Sequence, residues 1–276
     1  MEARADPKDV DALPTAWREA GEGPVVLLLH GLGGSRIAWS PQLVGLGSRW
    51  RVVAWDMPGY GASAPAGSPD SPLTFAALAD AVARLLDALE ADRAHLVGLS
   101  MGGMVAQHAA LAHPDRARSL TLLSTGPAFG LDGTRADDWR AARLAPLDAG
   151  REPADFAAEV IRAISGPGMT PDALADQVAA MSRITAAALR RSIDCLVTHD
   201  TRSRLGEIRA PTLVLTGQLD RETPPRYGRA LAEGVPAAQF VEIEGAGHLL
   251  HVEAADAVNA LLVDHLSAVE QDEPRG

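Results

Sequence analysis

The sequence predicts an α/β fold: a mostly parallel central sheet, helices on both faces, and a helical insertion near the middle of the chain. Three observations predict it. Short runs such as Val25-Val26-Leu27-Leu28-Leu29 are apolar at every position, as strands buried on both faces are. These runs alternate with amphipathic helical stretches, the pattern of parallel strands joined by crossover helices. Several of them run directly into glycine-rich or polar loops, and such loops open on one crevice at the carboxyl edge of a sheet.

Composition narrows the possibilities. The 276 residues suffice for one large α/β domain with an insertion, or for two small domains. A chain of this length buries about 75% of its unfolded surface, so it needs no disulfide or metal to hold it together. Its single cysteine, Cys195, has no partner for an intrachain bridge and no metal-ligand companion, which fits a reducing compartment. A net charge of −11 argues against a nucleic-acid surface and against anionic membrane. No apolar run approaches the roughly 20 residues of a membrane span. The polar start of the chain lacks the apolar core of a signal peptide, so a cytoplasmic protein is expected. Lys8 is the only lysine; the remaining positive charge is arginine, a compositional bias with no chemistry attached.

The elements follow in order. Residues 1–14 read as a loosely held arm, and 15–19 as a first short strand turning at Gly21-Glu22-Gly23-Pro24. The strand at 25–29 meets His30-Gly31-Leu32-Gly33-Gly34, and a helix is expected over 40–46. Residues 51–55 form the next strand. Thr74 caps a long helix whose stripe is Leu78, Val82, Leu85, Leu86 and Leu89. A strand over 94–99, a helix ending near His113-Pro114 and a strand over 120–123 come next. Residues 127–204 contain no strand pattern, only helical stretches cut by Pro146, Pro153, Pro167 and Pro171. The expected organisation is a core of residues 1–126 and 205–276, with 127–204 as a helical cap over the sheet's carboxyl edge. Strands resume at 211–217 and 239–243, with helices at 226–233 and 252–266.

The chemistry centres on Gly98-Leu99-Ser100-Met101-Gly102, which lies between a strand and a helix. That context makes it a nucleophile elbow, in which a strained turn projects the Ser100 hydroxyl above the sheet and only glycine fits two residues to either side. A serine hydroxyl needs a base, and the base needs an acid to hold its tautomer. Asp220, just past the 211–217 strand, and His248, just past the 239–243 strand, supply them in the order Ser, Asp, His. His251 is the close rival of His248 but falls where the last helix starts. The other six histidines show no metal-ligand spacing, and no metal is expected. For a negatively charged oxygen, the Met101 amide at a helix N-terminus and the Leu32 amide in the glycine-rich loop are the candidate donors. His30 reads as a brace of that loop. The loop has neither the Lys-Ser/Thr of a phosphate cradle nor the Rossmann glycine spacing.

With these motifs, together with Asp56-Met57-Pro58-Gly59-Tyr60-Gly61-Ala62-Ser63, the chain resembles the α/β-hydrolase superfamily. The resemblance implies a serine triad, no cofactor, a helical lid shaping the pocket, and a structural role for Asp56. Gly98 to Gln107 and Ile208-Arg209-Ala210-Pro211-Thr212 look like the corresponding strings of 3-oxoadipate enol-lactonases. Cofactor-independent haloperoxidase/esterases, meta-cleavage C–C hydrolases and polyketide-tailoring methyl esterases carry similar strings. The expected activity is hydrolysis of a small ester or lactone through an acyl-enzyme. Trp139 and Arg140 are candidate substrate-binding residues, with Arg135, Arg143, Arg183, Arg190 and Arg191 as further candidates for holding a carboxylate. The sequence assigns no oligomeric state.

Overall fold

A computed structural model describes residues 6–12, 14–68 and 71–272. Strands β1 (Lys8–Val10), β2 (Trp17–Ala20) and β3 (Val25–Leu29) precede helix α1 (Ser40–Leu46) and strand β4 (Arg51–Trp55). Helix α2 (Phe75–Ala88), strand β5 (Ala94–Leu99), helix α3 (Met101–Ala112) and strand β6 (Ala117–Leu123) follow. Next come helices α4 (Ala136–Asp148), α5 (Pro153–Ile164), α6 (Pro171–Ser182) and α7 (Ala186–Leu196). Strand β7 (Thr212–Gly217), helix α8 (Pro225–Gly234), strand β8 (Gln239–Ile243), and helices α9 (Leu250–Glu253) and α10 (Ala255–Asp272) complete the described residues.

Among the described residues eight strands form one sheet in the order β1-β2-β4-β3-β5-β6-β7-β8. From β4 to β8 all neighbours are parallel; β1 and β2 add an antiparallel margin. Every residue of β3, β5 and β7 is buried, which is why those runs carry no polar alternation. The crossover from β3 to β4 runs toward the β1 edge, whereas those from β4 to β5 and from β5 to β6 run the other way. Right-handed connections therefore place α1 on one face and α2 and α3 on the other. Helix α10 packs on α1, and α2 packs on α3. Thr74 caps α2 as expected, its side chain accepting the Ala77 amide at 3.2 Å. Among the described residues no helix is long and apolar enough to cross a membrane.

Three local expectations are corrected. Residues 8–10 are not a loose arm but strand β1, held by a buried arginine behind it; residues 1–5 and 13 lie outside the described set. The Arg36 guanidinium, 7% exposed, lies 3.3 Å from Asp9, 2.7 Å from Asp11 and 3.5 Å from the buried Asp56. Pro146 does not break a helix but lies in the last turn of α4, where its missing N–H leaves only one intrahelical bond unmade. Pro153 and Pro171 do separate the helical stretches as expected: they start α5 and α6, the position where a missing N–H costs nothing. The last helix begins earlier, breaks at Ala254 and runs on to Asp272 as α9 and α10.

Arg36→Met removes the cation shared by Asp9, Asp11 and Asp56 while keeping the bulk. The expected loss is about 3 kcal/mol, because Asp56 stays buried without its counter-charge. Urea unfolding of the variant beside wild type measures it.

Candidate active site

The elbow is assembled by close backbone approach. Ser100 has φ 52° and ψ −119°, left-handed territory that costs a non-glycine residue about 1–3 kcal/mol. Four hydrogen bonds hold it there. Its N–H donates to the Leu123 carbonyl at 2.8 Å, and its carbonyl accepts Gly103 N at 2.9 Å, Met104 N at 3.1 Å and Thr125 Oγ1 at 2.9 Å. A Cβ on Gly98 would overlap the Gly102 carbonyl, and one on Gly102 would overlap the Leu29 carbonyl. The turn thus has room only for glycine at both positions.

The loop after β3 lies directly against this turn. A Cβ on Gly31 would stand 3.1 Å from the Ser100 Cβ. His30 braces the loop: its Nδ1–H donates to the Gly31 carbonyl at 2.9 Å, and Nε2 accepts the Met57 amide at 3.0 Å. Burial holds its pKa down against the opposing Gly31 bond and the Asp56 charge, so the ring is a neutral strut. Leu32 lines the cavity above Ser100, and Met101 opens α3, where a first-turn amide has no intrahelical acceptor. Asp56 accepts the Arg36 amide at 3.0 Å and the Ala62 amide at 3.2 Å, which fits its expected structural role.

Asp220 and His248 meet from the ends of neighbouring strands. His248 Nδ1 lies 3.0 Å from each Asp220 oxygen, so Nδ1–H donates to the carboxylate and Nε2 is left as the basic nitrogen. Asp220 also accepts Glu222 N at 2.9 Å, Thr223 N at 3.0 Å and Thr223 Oγ1 at 2.9 Å. Its burial pushes the carboxyl pKa up, but the His248 charge and these donors outweigh that, and the pKa is lowered. For His248, desolvation opposes protonation, yet the Asp220 charge and hydrogen bond, with Glu222 and Glu253 adding, raise its pKa above 6.5.

Ser100 and His248 line one cavity of about 150 Å³ between the sheet edge and helices α4 to α7. Its wall is largely apolar, with Trp39, Leu99, Phe129, Trp139 and Ile161 among the contributors. Trp139 stands edge-on to Phe129, ring centres 5.4 Å apart. His251 is on the wall too, its ring centre 4.7 Å from that of Trp39 and its pKa pushed down to about 3 by burial. Among the described residues, no cluster of His, Cys, Asp or Glu could hold a metal ion.

The alpha/beta hydrolase family model matches residues 26–261. The chain belongs to that family. A Variovorax paradoxus relative named as the carbamate hydrolase RutD is 35% identical over 253 residues, 90% of this chain and 93% of its own. A pimeloyl-[acyl-carrier protein] methyl ester esterase from Chromobacterium violaceum is 32% identical, covering 89% of this chain and 95% of its own. Among solved structures, an enol-lactonase from Burkholderia xenovorans is 27% identical with a TM-score of 0.81, covering 94% of this chain and all of that one.

For this hydrolase only one of the candidate arginines, Arg143, lines the cavity among the described residues. Arg140 is not on the cavity wall: its Nε donates to Asp194 at 2.9 Å on the exposed side of α4. Arg190 pairs with Asp148, Arg135 with Asp138, and Arg191 donates to the carbonyls of Ala66 and Ser71. Arg143 is the arginine on the wall; it pairs with Glu222 at 2.7 Å and lies 5.2 Å from the centre of the Trp139 ring. Sequence reasoning missed Thr223, Glu222 and Glu253. Asp-x-x-Thr from 220 to 223 was a readable turn signal, but nothing local tied Glu253 to His248.

Gly102→Ala should prevent the elbow from closing, since the methyl group meets the Leu29 carbonyl rather than a movable side chain. Soluble yield and thermal unfolding are expected to collapse relative to Gly206→Ala, at an open position without a left-handed backbone.

Proposed function

We propose that this hydrolase is a serine hydrolase that cleaves a small carboxylic ester or lactone through an acyl-enzyme. The observation that carries this reading is a serine on a strained elbow sharing one cavity with a histidine whose Nδ1–H is held by a buried carboxylate. In this reading His248 Nε2 takes the Ser100 proton as Oγ bonds to the carbonyl carbon. The oxygen becomes an oxyanion facing the Leu32 and Met101 amides. Collapse breaks the C–O bond, and His248 returns the proton to the departing alcohol oxygen. A water, deprotonated by His248, then attacks the acyl carbon, and collapse frees the acid and restores Ser100. Asp220 holds the tautomer throughout and stabilises the imidazolium.

The wall favours an uncharged, mainly apolar acyl group. Its arginine is already paired with Glu222, and Arg140 faces away, so a carboxylated lactone finds no unpaired guanidinium there. The volume supports a compact group, since an apolar cavity of that size accommodates benzene. The Chromobacterium relative's methyl ester substrate agrees with an ester carbonyl on a neutral chain.

Turnover of p-nitrophenyl acetate tests the reading. Ser100→Ala should abolish it in a folded protein, and substantial surviving activity overturns the assignment. Asp220→Asn is expected to lower kcat about 10⁴-fold by releasing the tautomer. The base works as neutral imidazole, and its folded pKa is raised, so kcat/KM should climb with pH through a midpoint above 6.5 and then level off. A kcat/KM that does not change with pH through the imidazole range would remove His248 as the base. Trp139→Ala should raise KM, whereas Arg140→Ala leaves it within about two-fold, as expected for a surface pair; steady-state kinetics on neutral esters separates the two.

A further inference from the structure

One carboxylate outside the triad gathers three backbone amides. Glu253 Oε2 accepts Gly247 N at 2.6 Å and Gly166 N at 2.9 Å, and Oε1 accepts Leu249 N at 3.0 Å. Gly247 and Leu249 flank His248; Gly166 belongs to the inserted segment, just after α5. The two strands of chain are also bonded directly, the His248 amide donating to the Ile164 carbonyl at 3.2 Å. They approach so closely that a Cβ on Gly166 would lie 2.6 Å from Gly247 N, and one on Gly247 2.5 Å from Gly166 N. A carboxylate fits this knot because it offers acceptors only. An amide side chain would turn an N–H toward one of the three backbone donors.

We propose that Glu253 is a positioning residue that ties the His248 loop to the helical insert, so that the place of the imidazole depends on the insert being seated. The proposal rests on the serine-hydrolase reading for its effect on turnover. The anions facing His248 are Asp220 on its Nδ1 side, Glu222 from the loop after β7, and Glu253 from α9; Glu222 is partly offset by Arg143 on α4. The buried His251 on α9 is uncharged at neutral pH. Removing the Glu253 charge therefore lowers the His248 pKa, and removing its reach loosens the loop.

The test compares wild type, Glu253→Gln and Glu253→Asp as full chains. Each is assayed for kcat and KM on p-nitrophenyl acetate, for the His248 titration by imidazole NMR, and for folding by thermal unfolding. Glu253→Gln should lower kcat about 10²-fold, the scale of a misplaced reacting group, with KM little changed and a lower His248 midpoint. Glu253→Asp keeps the charge but is too short to span the three amides; its midpoint should stay near wild type while kcat still falls. A folded Glu253→Gln with unchanged kcat and unchanged midpoint overturns the proposal. So does a kcat loss that disappears when rates are divided by the folded fraction. The imidazole spectrum needs no turnover, so displaced His248 resonances in both Glu253 variants alongside an active Ser100→Ala would sink the serine mechanism and leave the positioning role standing.

Discussion

Backbone packing at Ser100 is the constraint on which the rest of the structure depends. Gly98 lies against the backbone of Gly102 and Gly103, and Gly102 lies against the Leu29 carbonyl. The ends of β3 and β5 are thereby drawn together above the sheet, and the loop from His30 to Gly34 is pressed against the serine. The left-handed backbone of Ser100 is a cost of about 1–3 kcal/mol. It is offset by the bonds its peptide makes to Leu123, Gly103, Met104 and Thr125, each net worth about 1 kcal/mol. A side chain at Gly98 would force the turn open at Gly102 and Gly103, and one at Gly102 would push away the end of β3 and the start of its loop.

The second organising effect is that one fold sets three buried histidines to different tasks. His30 and His251 are buried without a carboxylate in contact, and desolvation keeps both neutral. His248 is equally buried, but Asp220 touches its Nδ1, and Glu222 and Glu253 stand nearby. Burial penalises the imidazolium, but the Asp220 charge and hydrogen bond, with Glu222 and Glu253, together outweigh that penalty, so the carboxylates decide the direction. Asp220 stays ionised because amides and the Thr223 hydroxyl satisfy its remaining lone pairs.

Helices α4 to α7 line the cavity with Trp139, Ile161 and their neighbours, while most of their arginines are spent on surface pairs. An arginine-rich amphipathic helix buries its apolar stripe first, and its guanidiniums then find the nearest carboxylates in water. Arg140 with Asp194 and Arg190 with Asp148 follow that rule. The resulting pocket is apolar although the sequence around it is highly charged.

The sequence by itself determined what short-range chemistry decides. The all-apolar strands, the Thr74 cap, the glycines of the elbow and the place of Ser100, Asp220 and His248 just past strand ends were legible because each is written in a few consecutive residues. Strand β1 was not, since a polar tripeptide becomes a strand only when Arg36, from beyond β3, gathers Asp9 and Asp11 around itself. Nor was the course of α4 through Pro146, or the outward turn of Arg140, whose partner lies 54 residues away. Glu253 is the clearest instance. Five residues after His248 it reads as an ordinary helix acid, and only the tertiary structure brings Gly166 to it from 87 residues earlier. Local residues can specify a turn or a cap, but which carboxylate satisfies which distant amide is decided when separate elements are packed together.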